Sequence, residues 1–251
     1  LCLIPPARRP AQCNKIKEWQ VYFMLNEMGK AARDAARFLN GATTQQKNEA
    51  LRSMAQELEN QSGAILAANR QDTDRARQNG MTPSLLDRLT LSADRIAAMA
   101  DGIRQVASLP DPIGEVMDGF RRPNGLRIEK VRVPLGVIGI IYEARPNVTS
   151  DAAALCLKAG NAVILRGGKE AIASNTAIAG ALRDGLKKAG LPADAIGLIP
   201  DTSRETASAL MRLNAYLDVL IPRGGAGLIR SVVENATVPV LETGTGNCHV
   251  Y

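Results

Sequence analysis

The sequence predicts an α/β fold in which a parallel sheet is covered by helices on both faces and preceded by a helical N-terminal segment. Three observations lead there. Residues 24–110 carry apolar side chains at intervals of three and four, the mark of amphipathic helices. From residue 125 onward, short apolar runs alternate with helix-length stretches, the rhythm of a sheet built from crossover units. Those runs are unbroken rather than alternating, as strands buried on both faces require; the clearest is Gly136-Val137-Ile138-Gly139-Ile140-Ile141.

A chain of 251 residues can bury a core as one large domain or two small ones. Its 31 Lys and Arg exceed 25 Asp and Glu, a net +6, but residues 1–23 alone hold four of the cations against Glu18. With only 3 % aromatics to stack on bases, a nucleic-acid partner is not expected. No apolar run reaches the length of a membrane span, so a soluble protein with no membrane partner is expected. Cys2, Cys13, Cys156 and Cys248 show no metal-ligand spacing, and His249 is the only histidine. No metal site is expected, and a reducing, cytoplasmic compartment is the simple inference.

Taken in order, residues 1–23 differ from the rest. They hold three prolines, two of the cysteines and the only tryptophan, and lack an amphipathic period. They are neither helical in pattern nor a signal peptide. An extension without ordered structure is expected, with Met24 as the natural start. Leu25, Met28, Ala32, Ala35 and Leu39 then form one stripe. Thr43 and Gln46 have capping-box spacing ahead of Ala50, Leu51, Met54 and Leu58. Thr82-Pro83 suits an N-cap and first turn, and Ser92 opens a helix with Ile96, Met99, Ile103 and Val106 on one face. Leu109-Pro110-Asp111-Pro112 ends the helical segment and marks a boundary, with residues 111–251 as the second domain.

In that second domain, residues 125–133 read as a strand whose alternation slips between Ile128 and Val131, as a bulge or a change of face would explain. After the central strand, Thr149 or Ser150 can cap a helix running to Lys158, with Gly160-Asn161 as its stop. Strands follow at 162–165, 196–199, 217–221 and 238–241. Helices follow at 172–188 and 203–213, with another opened by residues 222–227.

Ligands of open α/β sheets sit outside the carboxyl ends of the strands. Two glycine loops fall at such ends: Arg166-Gly167-Gly168-Lys169 and Arg223-Gly224-Gly225-Ala226-Gly227. Glycine lets a ligand approach the backbone, the following helix offers free N–H groups to a phosphate, and the cations add charge. Neither loop fits the Walker pattern or a full GxGxxG, and each alone reads equally as a tight βα turn. Two of them at equivalent ends of one sheet favour a nucleotide. Asn147, after Pro146 in the loop behind the central strand, can donate to a developing oxyanion or simply cap a helix. Glu143 and Arg145 are candidate substrate contacts or a local ion pair. Cys156 lies among Ala154, Leu155 and Leu157, as a small buried apolar residue does. Cys248 and His249 are adjacent in an extended segment, so they point to opposite faces and make no nucleophile–base pair.

The segments VPLGVIGIIYEARPNVTSDAAALCLKAGNAVILRGGKEA, LIPRGGAGL and VPVLETGTGNCHVY resemble the gamma-glutamyl phosphate reductase family, within the aldehyde dehydrogenase superfamily. The resemblance runs from about Met24 to Tyr251. It implies an aldehyde dehydrogenase-like fold with a Rossmann-like cofactor domain, and NADPH-dependent reduction of L-glutamyl 5-phosphate to the semialdehyde with release of phosphate, in proline biosynthesis. By position, Asn147 resembles the superfamily's oxyanion asparagine. Arg166, Gly167, Gly168 and Lys169 match the segment at the adenosine ribose and its 2′-phosphate, and Gly224 and Gly225 the loop beside the pyrophosphate. Glu242 stands where hydrolytic relatives keep a general base, which a phosphate-releasing reductase does not require. The resemblance also implies a homo-oligomeric full-length enzyme, with glutamate 5-kinase as a candidate partner. It places the nucleophilic cysteine beyond residue 251, so the sequence is expected to be the N-terminal part of a longer enzyme, inactive alone. A non-catalytic dinucleotide-binding or interaction module is the alternative.

Overall fold

A computed structural model of the chain describes residues 10–143 and 145–242, with side chains from residue 19 onward. The helical segment comprises α1 (Pro10–Asn40), α2 (Thr44–Asn60), α3 (Ser62–Gln78), α4 (Pro83–Leu89) and α5 (Ala93–Ser108). An antiparallel pair, β1 (Val116–Arg121) and β2 (Arg127–Val131), follows. Then come β3 (Val137–Tyr142), α6 (Asn147–Lys158), β4 (Ala162–Arg166), α7 (Ile172–Lys188) and β5 (Ile196–Leu198). The last elements are α8 (Arg204–Leu210), β6 (Val219–Arg223) and α9 (Ala226–Asn235). The four strands from β3 to β6 form one parallel sheet in the order β5-β4-β3-β6. Every residue of β3 is buried, which explains its unbroken apolar run. Beyond β6 the predicted strand at 238–241 is reduced to one parallel bridge, Leu220 with Val240.

The helix ends follow the local chemistry. Thr43 and Gln46 form a full capping box at α2, and Ser92 caps α5 through the Arg95 N–H. Thr82 takes the N-cap of α4 without a side-chain bond, followed by Pro83. Gly160, at φ +71°, ends α6, and the Asn161 N–H donates to the Cys156 carbonyl at 2.8 Å.

Three expectations are corrected. Residues 10–23 are not an unstructured extension but the first half of α1. Adding a turn to an existing helix costs far less than starting one, so the strong stripe of residues 25–39 carries its neighbours into the helix. Neither Thr149 nor Ser150 caps α6, because Pro146 already holds an αR conformation and the helix starts at Asn147. The Thr149 hydroxyl turns inward to the Tyr142 hydroxyl at 2.7 Å, and Ser150 Oγ donates back to the Asn147 carbonyl at 2.8 Å. The bulge falls in β1, between Val116 and Asp118, rather than in β2. β1 is a strand that the sequence pattern does not mark: its apolar Val116, Met117 and Phe120 do not alternate, and all six of its residues are exposed.

One apolar cluster crosses the boundary at residues 109–112, joining Leu51, Met54, Ile96 and Ile103 to Ile140, Leu165 and Leu182. Contact is closest at Gly185 on α7. A Cβ there would lie 2.6 Å from the Met54 Cα and 2.7 Å from its N, so only glycine lets α2 and α7 meet. Polar clamps reinforce this face. Asp72 of α3, fully buried, accepts from the Ser174 N–H and Oγ, both at 2.7 Å, at the start of α7. Lys158 Nζ, also buried, donates to Asn48 Oδ1 at 2.7 Å and the Ala107 carbonyl at 3.0 Å. Lys47 Nζ meets Asp111 at 2.6 Å, and the Thr44 hydroxyl and Ile113 N–H also donate to that carboxylate. Burial alone would raise the Asp111 pKa, but Lys47, Thr44 and Ile113 outweigh it and hold the carboxyl below its usual range.

Two outcomes follow. Gly185→Ala should cost about 2 kcal/mol by overpacking a backbone contact, read as a lowered urea midpoint. A depressed carboxyl gives stability that is complete above the unfolded value near pH 4 and is lost as pH falls through the lower folded value. Asp111→Asn should therefore destabilise the chain at pH 7 by about 3 kcal/mol, by stranding Lys47. It should also flatten the decline of the urea midpoint on acidification below about pH 4.

Candidate functional site

The two glycine loops leave the carboxyl ends of β4 and β6, the strands on either side of β3. A cleft of about 1030 Å³ opens at that end of the sheet. Tyr142 and Glu143, at the end of β3, form its floor with Arg166, Gly168 and Lys169. The far side comes from α8 and α9, through Arg204, Ala207, Met211 and Leu228. Met81 and Leu85 reach in from the corner between α3 and α4.

The cations divide their labour. The Arg166 guanidinium is half-buried and donates to the Thr202 and Ser203 carbonyls at 2.7 and 3.2 Å. Its Nε is buried without a partner among the described residues. Burial draws its pKa below the ordinary value, against the opposing pull of Glu170 and Asp201, yet arginine stays charged. The loop it grips is held from the other side by Asp201, which accepts from the Ser203 N–H and the Ser203 and Thr206 hydroxyls. Lys169, by contrast, is exposed and opens a 3-10 turn, Lys169–Ala171. Neither it nor the exposed Arg204 is in an ion pair among the described residues.

The two glycine loops are alike in sequence and different in construction. At Gly167 a Cβ would lie 2.3 Å from Asn175 Nδ2 and 3.1 Å from the Tyr142 ring, so the missing side chain makes room for core side chains. Tyr142, Thr149 and Asn175 form a buried hydrogen-bonded row behind it. Burial pushes the Tyr142 phenol up to about 12, partly offset by the Thr149 bond. At Gly224 and Gly225 the neighbour is a carboxylate: Glu143 Oε2 accepts the Gly225 N–H at 3.1 Å, at the start of α9. An N–H at a helix start that holds a carboxylate oxygen is a working anion seat.

Glu143 therefore reaches the second glycine loop and makes no ion pair with Arg145. The Arg145 side chain is exposed, and its N–H donates to the Glu143 carbonyl at 2.7 Å in a local turn. Asn147 opens α6, is exposed, and does not line the cleft. Its Nδ2 donates to Asp151 Oδ2 at 3.1 Å. Burial raises the Asp151 carboxyl, with bonds from Asn147 and Ser150 opposing that rise. Cys156 is buried, and desolvation pushes its thiol up to about 12, so it is no nucleophile. Cys248 and His249 lie outside the described residues; Glu242 is exposed. Among the described residues, no cluster of three or more His, Cys, Asp or Glu could hold a metal ion. No helix among them is long and apolar enough to cross a membrane.

Pattern reasoning missed Met81, Leu85, Arg204 and Leu228. Only Leu85 left a trace, as an apolar residue beside Leu86 on a very short helix.

The aldehyde dehydrogenase family model matches residues 18–250. A gamma-glutamyl phosphate reductase of Carboxydothermus hydrogenoformans is 60% identical over 89% of this chain and 54% of its own length. One from Moorella thermoacetica is 62% identical over 89% of this chain and 53% of its own. The crystal structure of gamma-glutamyl phosphate reductase from Thermotoga maritima superposes with a TM-score of 0.87 at 49% identity, covering 90% of this chain and 54% of that one. A probable aldehyde dehydrogenase from Listeria monocytogenes shares the fold, with a TM-score of 0.72 at 16% identity over 92% of this chain and 48% of that one. The chain spans about half the length of the curated relatives it matches.

The contrast between the loops is measurable. Gly167→Ala should lower the urea midpoint by about 2 kcal/mol, since Tyr142 and Asn175 have no room to retreat. Gly224→Ala meets only the Glu143 carboxylate and a Leu228 methyl and should cost no more than about 0.5 kcal/mol.

Proposed function

Because the chain belongs to the aldehyde dehydrogenase family, we propose that it forms the cofactor-binding part of an NADPH-dependent reductase of L-glutamyl 5-phosphate. Its place is then in proline biosynthesis, downstream of a kinase that makes the acyl phosphate. The observation that carries this reading is the exposed Lys169 at the carboxyl end of β4, opening onto the same cleft as Glu143 and the start of α9. The curated relatives, named as reductases of this acyl phosphate, supply the reaction class.

The residues present fit a dinucleotide. Gly225 offers an N–H that already holds a carboxylate oxygen, and a pyrophosphate oxygen can take the same seat once Glu143 swings away. Lys169 binds the 2′-phosphate as a compact charge. Arg166 acts from behind, fixing the carbonyls of Thr202 and Ser203 and with them the wall that carries Arg204. When bound, NADPH supplies the hydride that reduces the acyl group. Asn147 is the oxyanion donor of this reading: Asp151 holds one amide N–H and fixes the side chain, leaving the other N–H to donate. Glu143 is assigned to the cofactor seat rather than to substrate, and Arg145 remains the exposed cation for the substrate's acidic end. No described cysteine is assigned as the nucleophile.

Calorimetric titration of the folded chain with NADPH and NADH tests the reading. Saturable binding that favours NADPH is expected, with Lys169→Ala weakening NADPH roughly tenfold and NADH little, as loss of one charge-assisted contact predicts. Failure of a folded chain to bind either dinucleotide would overturn it.

A further inference from the structure

We infer that the corner between α3 and α4 is one wall of the nucleotide site, with Met81 and Leu85 covering the adenine of the bound dinucleotide. The inference rests on the cofactor reading above. It adds that the helical segment, and not the sheet domain alone, supplies part of the site.

The first observation is a side chain that the core does not need. Leu85 is 44% exposed. Its helix already has an inward face, since Leu89 is fully buried and Leu86 packs with Ala76 and Ala171. Yet Leu85 lines the cleft beside Met81, Arg166 and Lys169. Leu85 and Met81 beside Arg166, Lys169 and Arg204 give the cleft the lining of a small-molecule site, apolar surface with a few placed polar groups.

The second is rigidity. Met81 packs on the Ala76, Leu89 and Ala171 cluster, and Ala171 closes the turn that Lys169 opens. The apolar wall and the cation therefore ride on one piece. Buried Asn69 locks that piece: its Nδ2 donates to the Leu89 carbonyl at 2.8 Å and to Ser174 Oγ at 3.0 Å, and its Oδ1 accepts the Leu91 N–H at 2.8 Å.

The third is complementarity. Leu228 on α9 and Ala207 on α8 supply apolar surface from the other elements of the cleft, and Lys169 and Arg204 bring positive charge to it. Apolar faces for a base beside cations for its phosphate describe a phosphorylated adenosine. The nicotinamide end belongs elsewhere, toward the loop behind β3, where Asn147 stands clear of this cleft.

The test titrates the chain and its Leu85→Ala and Met81→Ala/Leu85→Ala variants with NADPH and with 2′,5′-ADP, the adenosine half alone. Circular dichroism checks that each folds. Losing one partly buried leucine contact should weaken both ligands about fivefold, and the double change about tenfold or more. Leu85→Phe, which keeps an apolar face, should hold the parent affinity. Unchanged affinity for both ligands in a folded Leu85→Ala chain would overturn the wall while leaving the cofactor reading intact. Weakened NADPH with unchanged 2′,5′-ADP would overturn the adenine assignment. If the parent chain binds neither ligand, the cofactor reading falls and takes this inference with it.

Discussion

The arrangement of the whole chain hangs on a carboxylate with no access to water. Asp72 leaves α3, accepts from the first residues of α7, and lies 3.7 Å from Arg75. Burying a charge is costly unless every lone pair finds a donor, and here the free N–H groups of a helix start provide them. That requirement makes the contact directional in a way that apolar packing is not. It ties α3 to the start of α7, while the glycine contact at Gly185 lets α7 and α2 approach closely. The α3–α4 corner stands beside the Lys169–Ala171 turn because both are tied, through Asn69 and Ser174, to this carboxylate.

A similar economy shapes the glycine loops. One glycine is small so that Tyr142 and Asn175 can fill the space beneath the sheet's end, and the other pair is small so that an oxygen can reach the start of α9. Short motifs record only that bulk is absent, not which neighbour forbids it. The two arginines differ likewise, since Arg166 spends its donors on carbonyls whereas Arg223 is exposed at the end of β6.

Much of the fold was readable from the sequence because the signals were local. The Thr43–Gln46 box, the span of α7 and the apolar run of β3 each depend on residues within a few positions of one another. The parallel sense of the sheet's strands followed from the alternation of strand and helix. What escaped was set at a distance or by weak patterns. β1 is exposed on both faces, so no alternation marks it. The start of α1 is governed by the helix that follows it. Thr149 looks like a cap and is instead drawn inward by Tyr142 and Asn175. At the site, the loops and Glu143 were legible as residue types, whereas the bond from Gly225 to Glu143 spans 82 positions and leaves no local trace. Met81 and Leu85 joined the cleft only because separate helices dock where they do.

The clamps between the two parts of the chain have a consequence for its birth. Ser174 and Asp72 are 102 residues apart, Lys158 and Asn48 110, Lys188 and Glu57 131, and Arg33 and Asp218 185. A ribosome releases the helical segment first, and its apolar stripes then wait uncovered until the strands that receive them have been made. Closing loops of that length must precede most of the reward in contacts, so the helical segment is stabilised only once those strands and helices have been made. Residues 24–108 thus travel as amphipathic helices ahead of their sheet, and in that interval their uncovered apolar stripes are most open to aggregation.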